Sequence, residues 1–196
     1  MDNEFGYTAW GMDWVRLAEP LRQTRPDPLL PRARSIARNH GVHVTIEDGV
    51  VRATIHRGGQ ASLTHLEVAP LSRTAINAVA EIVVDTSVLT DDLHRAVVAA
   101  GIALAPILAS TDCSCSARSA RCLHVLAAYY EMARRVDENP RITLEVQRYF
   151  HAEHGDSTLP ALPTRWTPIS ALDPADFFGT VGNRVTRPVR SLILGE

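Results

Sequence analysis

The spacing of apolar residues along the chain switches between two periods, and each switch marks an element boundary. Near the start, Trp10, Trp14, Leu17 and Leu21 recur every three to four residues. That spacing predicts an amphipathic helix over residues 8–19, which Pro20 ends. From Val42 the period falls to two, with Val42, Val44 and Ile46 alternating with His43 and Thr45, and Val51, Ala53 and Ile55 with Arg52 and Thr54. Three runs, 42–46, 50–56 and 61–68, are separated by Glu47-Asp48-Gly49 and Arg57-Gly58-Gly59-Gln60, both hairpin turn signals. An antiparallel meander with one buried and one solvated face follows.

The helical period then returns. Residues 72–84 put Ile76, Val79, Ala80 and Val83 on one face, and 91–100 form a second helix. Thr90 reads as its N-cap, Asp91 and Asp92 suit the positive end of its dipole, and Gly101 supplies the stop. Residues 107–112 are a short strand-like run. From Leu123 a longer helix carries Leu126, Tyr129, Tyr130, Ala133 and Val136 on one face and Glu131, Arg134 and Arg135 on the other. Asn139 and Pro140 look like the N-cap and first residue of a short helix reaching about residue 150.

Every cysteine lies within residues 112–124, Asp-Cys-Ser-Cys-Ser-Ala-Arg-Ser-Ala-Arg-Cys-Leu-His. Cys113 and Cys115 point to one side of an extended segment, and Cys122 and His124 form a second pair after six residues. Two such pairs can close on one ion. Three thiolates and an imidazole match the soft, tetrahedral preference of zinc, at about 2.3 Å to sulfur and about 2.0 Å to nitrogen. Four protein ligands leave no open position, which points to a structural rather than a catalytic Zn2+. Two other readings compete. A redox dithiol lacks a thioredoxin-like βαβ context and leaves one cysteine over. A Cys122–His124 nucleophile pair needs a base aligned with its thiol, which this spacing at a helix start rarely gives. Cys122 at a helix N-terminus is expected to have a lowered pKa, with Arg118 and Arg121 acting in the same direction.

The pattern Cys-x-Cys, six residues, Cys-x-His resembles the SWIM zinc finger, with all four positions filled by Cys113, Cys115, Cys122 and His124. The resemblance implies a ββα-type arrangement, with the first pair on a β-hairpin and the second opening a helix. Gly6, Trp10, Gly11 and Trp14 resemble the opening of bacterial stand-alone SWIM proteins, and the Asp173-Pro174 turn with Phe177 and Phe178 resembles an element that follows the finger there. The fold class expected is α+β: an antiparallel meander with packed helices over 1–104, a SWIM finger with its following helix over 105–150, and a proline-rich C-terminal arm over 151–196. The resemblance also implies a partner, a helicase-like ATPase of the chromatin-remodeller class, and binding of DNA or protein.

Composition narrows this further. Hydrophobic residues make up 45% of the 196, and the formal net charge is −2 with a pI near 6.4. Such a balance describes an ordinary globular protein and excludes wholesale electrostatic wrapping by nucleic acid. A nucleic-acid surface has to be local. Arginine outnumbers acid around the finger, at Arg118, Arg121, Arg134 and Arg135, and in residues 16–38, where six arginines face Glu19 and Asp27. Glu81, Asp85, Asp91 and Asp92 would repel phosphate. The chain has no lysine, so it has neither a Walker A loop nor a Schiff-base lysine, and no nucleophile elbow or dinucleotide fingerprint is present. His43, His56 and His65 read as surface residues of the sheet, and His151 with His154 as a solvated helix end.

The first residues lack a charged-then-apolar leader pattern, and the longest uncharged run, 96–111, is interrupted by Gly101 and Pro106. A cytoplasmic protein without membrane or small-molecule substrate is expected. The function expected is that of a non-enzymatic zinc protein binding DNA and protein as an accessory subunit. The alternative is a purely protein-binding scaffold whose zinc only stiffens the fold.

Overall fold

In the computed structural model, residues 4–22, 25, 27–83, 85–117 and 119–153 are described. Arg118, His154, the Asp173 turn and the rest of the expected C-terminal arm from 154 onward lie outside the described residues. The described residues belong to one compact unit, 1–155. Its class is α+β.

The period-two runs form β1 (Val42–Glu47), β2 (Val50–Arg57) and β3 (Gln60–Val68), paired antiparallel in sequence order. Asp48 and Gly49, at φ of 48° and 76°, make the two-residue turn between β1 and β2. Two consecutive positive values suit the right-handed twist of the flanking strands. Val42, Val44, Val51, Ala53, Ile55, Leu66 and Val68 point into the core, and His43, Thr45, Arg52 and His56 face water. After β3 the chain leaves the sheet for α3 (Arg73–Ile82) and α4 (Asp91–Ala99), capped by the hydroxyls of Ser72 and Thr90 as their sequence implies. Ile76, Val79 and Val83 are buried, while Ala80, expected on the same face, is exposed.

The chain then returns as β4 (Leu108–Cys113), which pairs antiparallel with β3 and becomes the fourth strand of the same sheet. Residues on either side of position 104 thus share one sheet.

The helix α5 (Leu123–Glu138) packs against this sheet and against α1 (Ala9–Ala18) and α2 (Leu30–Arg38). Contacts on several sides explain why Val125 through Ala133 are all buried, including Glu131, which the helical wheel places on the wet face. Glu131 is 1% exposed and is neutralised by Arg134 and Arg135. On α1, Trp10 and Trp14 are fully buried, whereas Leu21 lies past Pro20 and is exposed. The start of α1 is held by Asp137 of α5, whose carboxylate accepts from the N–H groups of Gly6 at 2.6 Å and Thr8 at 2.9 Å and from the Thr8 hydroxyl at 2.8 Å. Gly11 makes this approach possible, because a Cβ there would meet Asp137 Oδ1 at 2.1 Å.

α2 lies within the arginine-rich stretch 16–38, which Pro20, Pro26, Pro28 and Pro31 punctuate in the sequence. Leu30, Ala33 and Ala37 form its buried stripe, and Pro31 falls in its first turn, where a missing N–H costs nothing. The short helix expected to reach residue 150 is split into α6 (Arg141–Val146) and α7 (Tyr149–Glu153) by Arg148, at φ 58°. The Arg148 guanidinium donates to the Asp48 carbonyl, tying the α6–α7 junction to the β1–β2 turn. Among the described residues no helix is long and apolar enough to cross a membrane.

Candidate metal centre

The centre is assembled where β4 ends and α5 begins. The β3–β4 register sets Thr64 opposite Cys113. One residue on, the Ser114 N–H donates to the Leu63 carbonyl and the Ser114 hydroxyl accepts from the Leu63 N–H, both at 2.9 Å. These bonds extend the ladder past Cys113 and fix how the Cys-x-Cys segment leaves the sheet. At the other side Cys122, at φ −69° and ψ 165°, is the N-cap of α5, and its carbonyl accepts from the Leu126 N–H. His124 sits in the first turn. The sequence thus folds both pairs from rigid elements, a strand end and a helix start.

One ligand atom from each of Cys113, Cys115, Cys122 and His124 lies within 4.8 Å of all the others. Cys113 Sγ is 3.8 Å from His124 Nδ1. Metal–ligand bonds of 2.0–2.3 Å in a tetrahedron give ligand–ligand edges of about 3.5–3.8 Å, so the cluster is close to the size that zinc requires.

Thr64 Oγ1 donates to Cys113 Sγ at 3.4 Å. The backbone N–H groups of Ala117 and Val125 favour the charged forms of the Cys115 and Cys122 sulfurs. A thiolate accepts such bonds better than a thiol does. Burial pushes the Cys115 thiol up, but the Ala117 N–H and the Cys113 and Cys122 thiols outweigh it, and the net shift is downward. At Cys122 burial wins, and the pKa is pushed up to about 12 despite the Val125 N–H. This corrects the expectation that the helix N-terminus lowers it: desolvation of a buried sulfur exceeds the pull of the dipole. A buried sulfur of this kind needs a cation to ionise at neutral pH. Burial also lowers the His124 pKa, which keeps the imidazole neutral and able to ligate.

Two clefts reach the centre. One of about 760 Å³ is lined by Arg57, Gln60, Ser62, Ser114, Cys115 and His124, and one of about 300 Å³ by Thr111, Asp112, Cys113, Cys115 and Ser119. Cys115 is reached from both, whereas Cys122 is buried.

Comparison with protein-family models, curated proteins and solved structures finds no match. The chemistry is therefore argued from the ligand set itself.

The arginines expected to touch nucleic acid have internal partners instead. Arg121 donates to the carbonyls of Leu17 at 3.0 Å and Ala18 at 2.7 Å, capping α1, and lies 3.9 Å from Asp27. Arg134 pairs with Glu131 and Glu138, and Arg135 with Glu131. Arg22, Arg25, Arg32 and Arg57 are exposed, and their side chains have no ion pair or hydrogen bond among the described residues. His43 and His56 are exposed and His65 half-buried on the outer sheet face, away from any ligand cluster among the described residues. Exposed His151 lies 3.9 Å from Asp48. Sequence reasoning passed over Thr64. Its signal was a hydroxyl on the inward side of a strand whose next inward residues are Leu66 and Val68.

Proposed function

We propose that this chain is a non-enzymatic SWIM-type zinc protein that serves as a protein-binding accessory subunit. The observation that carries the reading is the convergence of four protein ligands, three sulfurs and an imidazole, on a strand end and a helix start. Four ligands saturate a tetrahedral Zn2+, which then stiffens the junction between the β3–β4 pair and α5 and offers no position to a substrate. The pair that opens α5 sits as the SWIM resemblance implies, whereas the strand of the first pair, β4, joins β3 across α3 and α4 instead of in a hairpin. The resemblance supplies the partner class, a helicase-like ATPase of the chromatin-remodeller kind. The internal pairing of Arg121, Arg134 and Arg135 favours protein over DNA as the target.

A DNA-contacting reading keeps one supporting observation, the exposed guanidinium groups of Arg22 and Arg25 between α1 and α2 and of Arg32 in the first turn of α2, which have no ion pair among the described residues. Phosphate contacts of that number imply a slope of roughly −3 in log affinity against log salt.

Affinity purification of the full chain from its native cells, with elemental analysis of the same sample, tests the proposal. One zinc per chain and stoichiometric recovery of a helicase-like ATPase after nuclease treatment is the expected result. Zinc near zero would overturn the metal reading. Recovery of nucleic acid alone, lost when Arg22, Arg25 and Arg32 are changed to alanine, would transfer the function to DNA binding.

A further inference from the structure

Among the donors around the centre, one differs in kind from the others. The charged forms of Cys115 and Cys122 are favoured by nearby backbone N–H groups, which no side-chain substitution removes. Cys113 receives a side-chain hydroxyl, that of Thr64. Thr64 is fully buried on β3, and the register of β3 and β4 places it directly across from Cys113. In a metal-bound state the sulfur carries no proton, so the hydroxyl has to be the donor and Sγ the acceptor.

We infer that Thr64 is a positioning residue of the metal centre, which orients the Cys113 thiolate on the ion and damps its reactivity through the Oγ1–H···Sγ bond. The inference rests on the metal reading above and adds a residue to it. A hydrogen bond withdraws electron density from sulfur, making it a weaker nucleophile toward an electrophile arriving through the smaller cleft. It also holds the thiolate in the rotamer that meets the ion. Partners of this kind fix ligand orientation, and their loss typically weakens metal binding about 10- to 100-fold. The plain alternative is that Thr64 only fills an inward strand position. Valine would do that equally well, since it keeps the branched shape and loses only the hydroxyl.

The test uses the full zinc-loaded chain as wild type, Thr64→Val and Thr64→Ser. Two rates are read: zinc transfer to an excess of a chromogenic chelator, and alkylation of each cysteine by iodoacetamide, resolved by peptide mass spectrometry. Thr64→Val is expected to load zinc, release it about tenfold faster than wild type, and raise Cys113 alkylation relative to Cys115 in the same molecules. Thr64→Ser should stay near wild type in both, because it keeps the donor. Equal release rates and an unchanged Cys113 to Cys115 ratio in Thr64→Val would overturn the role. Loss of protection in Thr64→Ser would overturn it too, by assigning the effect to the missing methyl. If Thr64→Val does not fold, the comparison of Thr64→Ser with Thr64→Ala reads the same difference. A wild-type chain that binds no zinc in elemental analysis would remove the metal reading itself, an outcome distinct from an unchanged rate.

Discussion

Replacing Gly11 with alanine sets helix propensity against tertiary packing, and the geometry says packing wins. Gly11 is inside α1, where alanine is intrinsically better than glycine by about 1 kcal/mol. The added Cβ would sit 2.1 Å from Asp137 Oδ1, 2.5 Å from its carboxyl carbon and 3.0 Å from the Ala133 carbonyl oxygen. Asp137 must rotate away or α1 must lift from α5. Either movement breaks the bonds from Gly6, Thr8 N–H and Thr8 hydroxyl to a carboxylate that is 5% exposed. Hydrogen bonds to a charged group are worth about 1.5–3 kcal/mol each, so with one of the three re-formed after the movement, losing the other two costs about 3–6 kcal/mol. Subtracting the propensity gain leaves a net loss of roughly 2–5 kcal/mol, or a fall in Tm of roughly 5–15 °C for a unit of this size. Thermal and urea unfolding followed by circular dichroism, with zinc present throughout, measures it. Asp137→Asn serves as the partner variant. Because both changes damage one set of bonds, the double variant should lose clearly less than the sum of the two. A Gly11→Ala protein as stable as wild type, or strict additivity with Asp137→Asn, would refute the argument.

Changing Arg134 and Arg135 together to alanine strands the Glu131 carboxylate in the core and should cost about 3–5 kcal/mol in urea unfolding, while DNA affinity, if any, stays unchanged. Burial pushes the Glu19 carboxyl up, but its bonds from Arg34 and Tyr130 leave it below its ordinary 4.5, so its contribution to stability is present above that pH and disappears as pH falls through the lowered value. Glu19→Gln should therefore unfold more easily at neutral pH and lose less than wild type on acidification below 4.5; parallel acid titrations would expose the error. Metal binding must displace the proton of Cys122, whose pKa is pushed up to about 12, so zinc affinity measured by chelator competition should weaken by at least about tenfold per unit fall in pH near neutrality. A pH-independent affinity would rule Cys122 out as a ligand.

Much of the architecture is legible in the residue pattern, for reasons that the exceptions make clear. Alternation and turn chemistry specify β1 to β3 because each strand has one wet face, and the Thr90 hydroxyl cap specifies the start of α4. The cysteine spacing picks out the four residues that the fold brings together. α2 was hidden because its buried stripe is mostly alanine and its proline reads as a breaker unless the helix start is already known. A one-face reading of α5 failed because a helix touching the sheet, α1 and α2 has little wet face left, so Glu131 is buried beside its own arginines. That contact partner is a tertiary fact. The same holds for Arg121, whose carbonyl acceptors Leu17 and Ala18 lie about a hundred residues away in sequence. Local charge excess therefore overstated how much positive surface is free.

The carboxylate of Asp137 that finishes the start of α1 also sets a clock on synthesis. The amides of Gly6 and Thr8 leave the ribosome some 130 residues before the group that completes them. At about 5–20 residues per second, the N-terminal segment waits roughly 6–25 s for α5. Throughout that interval Trp10 and Trp14 have no α5 to cover them, so the segment stays open to water and to proteases until α5 is made. Chains arrested before residue 123 should be cut readily after Arg16, and chains arrested past α5 should resist.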